Sequence, residues 1–253
     1  MQRRTSAAQA PRRAFTLVEL LVVIIIVAIL AALAVQAVMR ATVTAQNARI
    51  KTEIDMLHQA VMQYKNEYGS FPPAIDTVGG TNGPINKHIR RLFPRVDTTN
   101  LPNNDYLARI HPDTALTFWL NGFTDAPTDP LAIANVSLKR KRLFDFDQAR
   151  VTSDRFVAPS KPKSPYIYIP STLYTDPTGS IITTFSFSDL NFRIPAYTAY
   201  FAQRVPISAA AASFSVVEQP AFNADTFQIL SAGRDEVFGT DDDMSNFWPG
   251  TRK

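Results

Sequence analysis

Cysteine is absent from the 253 residues, which removes disulfides, thiolate zinc sites and cysteine nucleophiles together. A domain exported without cross-links must take its stability from an apolar core or a bound metal. Glycine is scarce, at 9 residues against 18 prolines. That balance suits long, stiff surface loops and not phosphate-cradling glycine turns. Histidine occurs only as His58, His88 and His111, with no nucleophile or metal-ligand spacing around any of them. No Gly-x-Ser-x-Gly, P-loop or dinucleotide fingerprint is present. A pair of carboxylates distant in the chain stays open as a glycosidase-type centre, but nothing points to one, and the expectation is that the chain is not an enzyme.

Acidic side chains are missing from residues 1–14, where Arg3, Arg4, Arg12 and Arg13 stand. The formal charge of +4 resides there, because the remaining 22 basic residues meet 22 acidic ones. A neutral body leaves no electrostatic footprint for nucleic acid, so no nucleic-acid partner is expected. The arginines precede a segment in which every residue from 20 to 35 is apolar. With Phe15, Leu17 and Val18 the span reaches about 20 residues, enough at ~1.5 Å per residue to cross a ~30 Å hydrocarbon core. The positive-inside rule then places the N-terminus in the cytoplasm and the bulk of the chain outside.

Three roles compete for this segment. It contains small-x-small sites, Ala32-Leu33-Ala34 and Val35-Gln36-Ala37, as a cleavable secretory signal does. It also has the length of a plain anchor, or of an anchor that doubles as an assembly interface. Glu19 bears on the choice, since a carboxylate within a bilayer costs roughly 2.5–3.5 kcal/mol and such groups usually find a partner. A cut between Ala14 and Phe15 would create an α-amine one helical turn from Glu19, within neutralising distance in one chain or between neighbours. The plainer alternative leaves Glu19 at the membrane interface, stabilised by the positive end of the helix dipole.

A basic leader, a small residue, then Phe15-Thr16-Leu17-Val18-Glu19-Leu20-Leu21 and a long apolar helix resembles the N-terminal signal of type IV prepilins and type II secretion pseudopilins. The resemblance implies cleavage by a prepilin peptidase after Ala14, N-methylation of Phe15, and a role for Glu19 in docking each subunit into a filament. It implies further partners in an inner-membrane assembly platform and in membrane lipid. Where the family has glycine before the scissile bond, this chain has Ala14.

Beyond the span, Ile50, Ile54, Leu57, Val61, Tyr64 and Tyr68 recur at intervals of 4, 3, 4, 3 and 4, one face of a helix. Lys51, Glu53, Asp55, Gln59, Lys65 and Glu67 are assigned to the opposite, polar side. No helix breaker intervenes between Phe15 and Tyr68, and Gly69 stands at the expected C-cap before Phe71-Pro72-Pro73. One helix of about 54 residues, about 80 Å long at ~1.5 Å rise, is therefore expected. Discarding half of it by signal peptidase would be wasteful. The stretch from Tyr64 to Pro72 also resembles the helix end of major pseudopilins.

Residues 74–115 are rich in Asn, Thr, Pro and Asp and are expected as loops, with one short helix over 85–93 and another over 115–121 ended by Gly122. The run Lys139-Arg140-Lys141-Arg142 is followed by acids and is expected as a solvated loop. Strands are expected over 164–169, 181–188, 196–202 and 226–230. The fold class is therefore α+β, a long N-terminal helix packed on a small antiparallel sheet in a pilin-like arrangement. Its organisation is a leader at 1–14, a transmembrane and assembly helix at 15–39, an amphipathic continuation at 40–69, and an extracytoplasmic domain with long loops at 70–253.

The last informative stretch runs from Ser231 to Asn246 and includes Asp235, Glu236, Asp241, Asp242 and Asp243. Oxygen ligands without His or Cys suit Ca2+, although no EF-hand frame fits, and a solvated acidic turn is the alternative. A strand followed by Ser-Ala-Gly-x-Asp and an Asp cluster is similar to the calcium loop of the major pseudopilin. The resemblance implies a structural Ca2+ held by Asp235, Asp241 and Asp243, with a carbonyl near Ala232 and with Asp242 turned outward. Glu236 takes a place where the family often has glycine. Taken together, the expectation is a structural subunit of a type II secretion pseudopilus in a bacterial inner membrane. The alternatives are a type IV pilus subunit or a membrane-anchored extracytoplasmic binding protein.

Overall fold

The computed structural model describes residues 16–74, 83–96, 107, 110–126, 128–131, 139–159, 164–173, 222–223, 225–238 and 240–251. The expected strands over 181–188 and 196–202, and the cleavage pair Ala14 and Phe15, lie outside the described residues. The chain divides into two compact units, Met1–Ala45 and Gln46–Lys253. Helix α1, Leu17–Tyr68, is a single 52-residue element. It ends as expected at Gly69, whose φ of +80° places it in the left-handed region. The Gly69 N–H donates to the Lys65 carbonyl at 2.7 Å, so the capping bond runs from the first residue past the helix to its last turn.

Within the first unit the large apolar side chains from Leu17 to Met39 are exposed, from 46 % at Leu21 to 78 % at Leu17. No aqueous domain leaves such a stripe uncovered without a use for it. The helix is long and apolar enough to cross a membrane.

In the second unit Ile50, Ile54, Leu57, Val61 and Tyr64 are all fully buried, so the 4-3-4-3 face is core as its spacing requires. The same core contains a three-stranded antiparallel sheet of order β5-β6-β7, built from β5 (Ile167–Pro170), β6 (Phe227–Ser231) and β7 (Met244–Ser245). Tyr168 pairs with Ile229 and Pro170 with Phe227, while Leu230 pairs with Ser245. Alternation along a strand puts Tyr166, Tyr168, Phe227 and Ile229 on one sheet face. That face meets α1: the Tyr166 hydroxyl donates to Glu53 at 2.5 Å, and the rings of Phe227 and His58 lie 5.0 Å apart. All five residues of β6 are buried, because the other face is covered as well. The Gln228 side chain there donates to the Phe222 carbonyl at 2.9 Å.

Two short helices fall where expected, α2 at Pro84–Leu92 and α3 at Ala115–Leu120. The Trp119 indole of α3 is fully buried and donates to the Pro73 carbonyl at 2.7 Å, which ties α3 to the turn after α1. Gly122 follows α3 with φ +76°, and a Cβ there would lie 1.8 Å from the Lys141 carbonyl oxygen. Only glycine permits so close a pass. The run from Lys139 to Arg142, expected as a solvated loop, keeps Lys141 and Arg142 largely exposed but is paired in part. Arg140–Lys141 form β2, paired antiparallel with β1 (Phe123–Thr124), Lys141 Nζ reaches Glu67 at 2.8 Å, and Arg140 donates to the Leu131 carbonyl. A further hairpin joins β3 (Val151–Thr152) to β4 (Arg155–Phe156).

Glu53 departs from its assignment to the polar side of the helix. It is 9 % exposed, and both its oxygens accept from Arg150, Nη1 to Oε1 at 2.7 Å and Nη2 to Oε2 at 2.6 Å. Arg150 also donates through Nε to the Val157 carbonyl at 3.1 Å and lies 4.4 Å from the centre of the Phe156 ring. A carboxylate can leave water only when its lone pairs are filled in this way.

Candidate processing and assembly site

Thr16 is the residue before α1, and Glu19 is the third residue of the helix. Threonine has a short hydroxyl that competes with the backbone, and glutamate is long enough to fold back one turn. At this spacing the two satisfy each other. The Thr16 hydroxyl accepts from the Glu19 N–H at 3.2 Å. In return one Glu19 oxygen, Oε2, accepts from the Thr16 N–H at 2.9 Å and from the Thr16 hydroxyl at 3.0 Å. This reciprocal cap explains how an acid is tolerated at the entrance of an apolar helix, with two donors from the chain and the positive helix end beside it. The capping role of Thr16 went unnoticed in the sequence, although the T-x-x-E spacing carries it.

The cap also sets a geometry for processing. The amide that the Glu19 carboxylate already touches belongs to the residue next to Phe15. An amine released at Phe15 would therefore arise one residue from a carboxylate held in place.

At the other end of the chain, residues 232–243 form the hairpin connection between β6 and β7, since Ser231 pairs with Met244. The aspartates expected to hold Ca2+ occupy different surroundings. Asp235 and Asp241 are exposed, whereas Asp243 is 1 % exposed. Asp235 Oδ1 accepts from the Val237 N–H at 2.8 Å. Asp242, expected to point outward, points into the loop. Its Oδ2 accepts from the N–H groups of Arg234 at 2.6 Å and Asp235 at 3.1 Å, and its Oδ1 accepts from the Thr240 hydroxyl at 2.7 Å. Adjacent side chains alternate in an extended segment, but here Asp241 and Asp242 lie in a turn, where that rule lapses. Partial burial pushes the Asp242 carboxyl up, while the Thr240 hydroxyl and the two amides outweigh it and hold the group below the usual range. Among the described residues no group of three or more His, Asp or Glu side chains is placed to hold a metal ion.

His58 and His88 are structural neighbours of the core. Asn246 Nδ2 lies 3.0 Å from His58 Nδ1, and Asn246 Oδ1 accepts from the Ile229 N–H at 3.0 Å. His88 lies between the Tyr64 hydroxyl, 2.8 Å from Nε2, and Arg91, 3.3 Å from Nδ1. A guanidinium only donates, so Nδ1 accepts and Nε2 carries the proton toward Tyr64. Burial first, then the Arg91 charge, pushes the His88 imidazole down to about 4.

Residues 10–35 match the family model of the prokaryotic N-terminal methylation motif. This is the prepilin-type signal of type IV pilin-like proteins, and the chain carries it around the Thr16–Glu19 cap. The α+β arrangement of a long N-terminal helix with small antiparallel sheets is consistent with the pilin-like fold. No curated protein and no solved structure matches the chain.

Proposed function

We propose that the chain is a structural subunit of a type II secretion pseudopilus, made as a precursor and cut after Ala14. The observation that carries the reading is the Glu19 carboxylate capped by Thr16 at the entrance of an exposed apolar helix, within the methylation motif. Four arginines precede that helix and hold the N-terminus in the cytoplasm. The second unit then lies outside the inner membrane, and the apolar span of α1 keeps the subunit in the bilayer until it is assembled. Removal of the leader supplies the Phe15 amine, whose charge the carboxylate of the same chain or of a neighbour neutralises as the helix leaves the lipid. The role is structural, and the engagement of His58 and His88 by core residues supports it. The Ser-Ala-Gly-x-Asp hairpin after β6 favours a secretion-type subunit over a pilus subunit.

Intact-mass measurement of protein from cells with and without an active prepilin peptidase tests the processing step. The expected species begins at Phe15, carries one added methyl, and is absent when the peptidase is inactive. A mature protein that keeps residues 1–14, or that begins after Ala34, overturns the assignment.

A further inference from the structure

The hairpin between β6 and β7 has the composition of a cation site and the polarity of an anion site. Two successive backbone N–H groups, those of Arg234 and Asp235, converge on one point, the arrangement with which a turn cradles a negative group. The point is already filled. A Cβ built on Gly233, whose φ is +63°, would lie 2.7 Å from the Asp242 Oδ2 and 2.2 Å from the Asp242 carbonyl oxygen. Asp242 is thus pressed against the turn so closely that only glycine fits at its mouth. Its second oxygen takes the Thr240 hydroxyl, which also lies 3.1 Å from the Val237 carbonyl. Both ends of the connection, residues 233–235 and 240–242, are fastened by one carboxylate.

We infer that Asp242 closes this hairpin as an internal anion, doing for the loop what a bound calcium ion would do in the resembled family, so that the loop's order is independent of metal. Both oxygens of Asp242 are taken by donors of the loop itself. A cation here would face two N–H groups aimed at it, and the carboxylate would have to leave both amides to become a ligand. Asp235 accepts the Val237 N–H through Oδ1. Asp243 lies in the buried strand approach, apart from the exposed Asp235 and Asp241, and its Oδ1 has no hydrogen-bond donor among the described residues.

The test is the thermal unfolding of the full chain in detergent, followed by tryptophan fluorescence, in millimolar CaCl2 and in EDTA. The parent protein is expected to melt at the same temperature in both. Asp242→Asn, which keeps the shape but weakens the two amide bonds, is expected to lower the melting temperature by about 2–4 °C for a domain of this size. Asp241→Asn is expected to leave it unchanged. A calcium-dependent rise in the parent that is lost in Asp235→Ala and Asp241→Asn overturns the inference. So does an Asp242→Asn protein as stable as the parent. The calcium comparison on the parent alone decides the matter if Asp242→Asn does not fold, and none of these outcomes bears on cleavage at Ala14.

Discussion

At the residue scale the polar groups inside the second unit are the sensitive ones, because each is buried on the condition that a particular partner remains. His88 shows the consequence for pH. Its folded pKa of about 4 lies below the ordinary value of 6.5, so the unfolded chain binds the proton more readily than the folded one. Stability is therefore complete above pH 6.5, falls as the pH drops through 6.5, and has lost its full share below about 4. The loss approaches about 3 kcal/mol at 1.36 kcal/mol per unit. Arg91, which faces Nδ1, adds to it by repelling the imidazolium, and the Tyr64 hydroxyl gives no compensating charge. Urea unfolding of the parent at pH 7 and pH 4.5 should show this decline, and a His88→Gln protein should show a shallower one. An equal slope in both would mean that acid sensitivity arises elsewhere, with His58 and His111, also lowered by burial, the next to examine.

At the element scale the Glu53–Arg150–Tyr166 network joins three parts of the sequence, the second half of α1, the turn before β3 and the start of β5. Breaking it from one side leaves a charge without its counterpart in a dry site, at a cost of about 3–5 kcal/mol. Glu53→Ala and Arg150→Ala should each lower stability by that amount in denaturant titrations. Replacing both by apolar residues of similar size, Glu53→Leu with Arg150→Met, should recover most of the loss, since no charge is then stranded. A double variant as damaged as the sum of the singles would show that the pair contributes more than mutual satisfaction.

The same network marks the limit of what the chain discloses before it is folded. The apolar stripe of α1 and the Gly69 stop depend on local periodicity and one backbone conformation, and both are visible in the sequence. Glu53 sits at a position that periodicity assigns to the surface, and only a partner 97 residues away makes it a core residue. Asp242 fails for a related reason: alternation holds in extended chain, and the turn that suspends it is itself held by Asp242. Strand β7, two residues long, has too little pattern of its own and exists because β6 offers it an edge. Of the candidate site, Glu19 and the apolar helix are legible in the sequence, and the cap by Thr16 is carried by its spacing to Glu19.

At the scale of the whole molecule the two units treat their apolar side chains in opposite ways. The unit Gln46–Lys253 hides its apolar residues, whereas the helix of Met1–Ala45 displays them. Such a helix is stable in lipid or against other apolar helices, and the carboxylate at its entrance is what distinguishes those two environments energetically. On the proposed function, Glu19 is satisfied by Thr16 alone in lipid and meets the amine of Phe15 as well in a filament. Glu19→Ala should therefore leave membrane insertion intact and abolish incorporation into filaments. Membrane fractionation should recover it with the inner membrane at the parent level, and crosslinking through pairs of introduced cysteines in neighbouring helices should lose its ladder of multimers. Thr16→Val, which removes the cap but keeps the charge, should weaken the ladder without erasing it. A Glu19→Ala protein that still forms the full ladder would reduce the carboxylate to a helix cap. In cells, loss of the gene should block export of a secreted protein while leaving surface pili in place if the subunit belongs to a secretion system. Loss of pili with export intact would transfer the same helix, cap and cleavage site to a pilus.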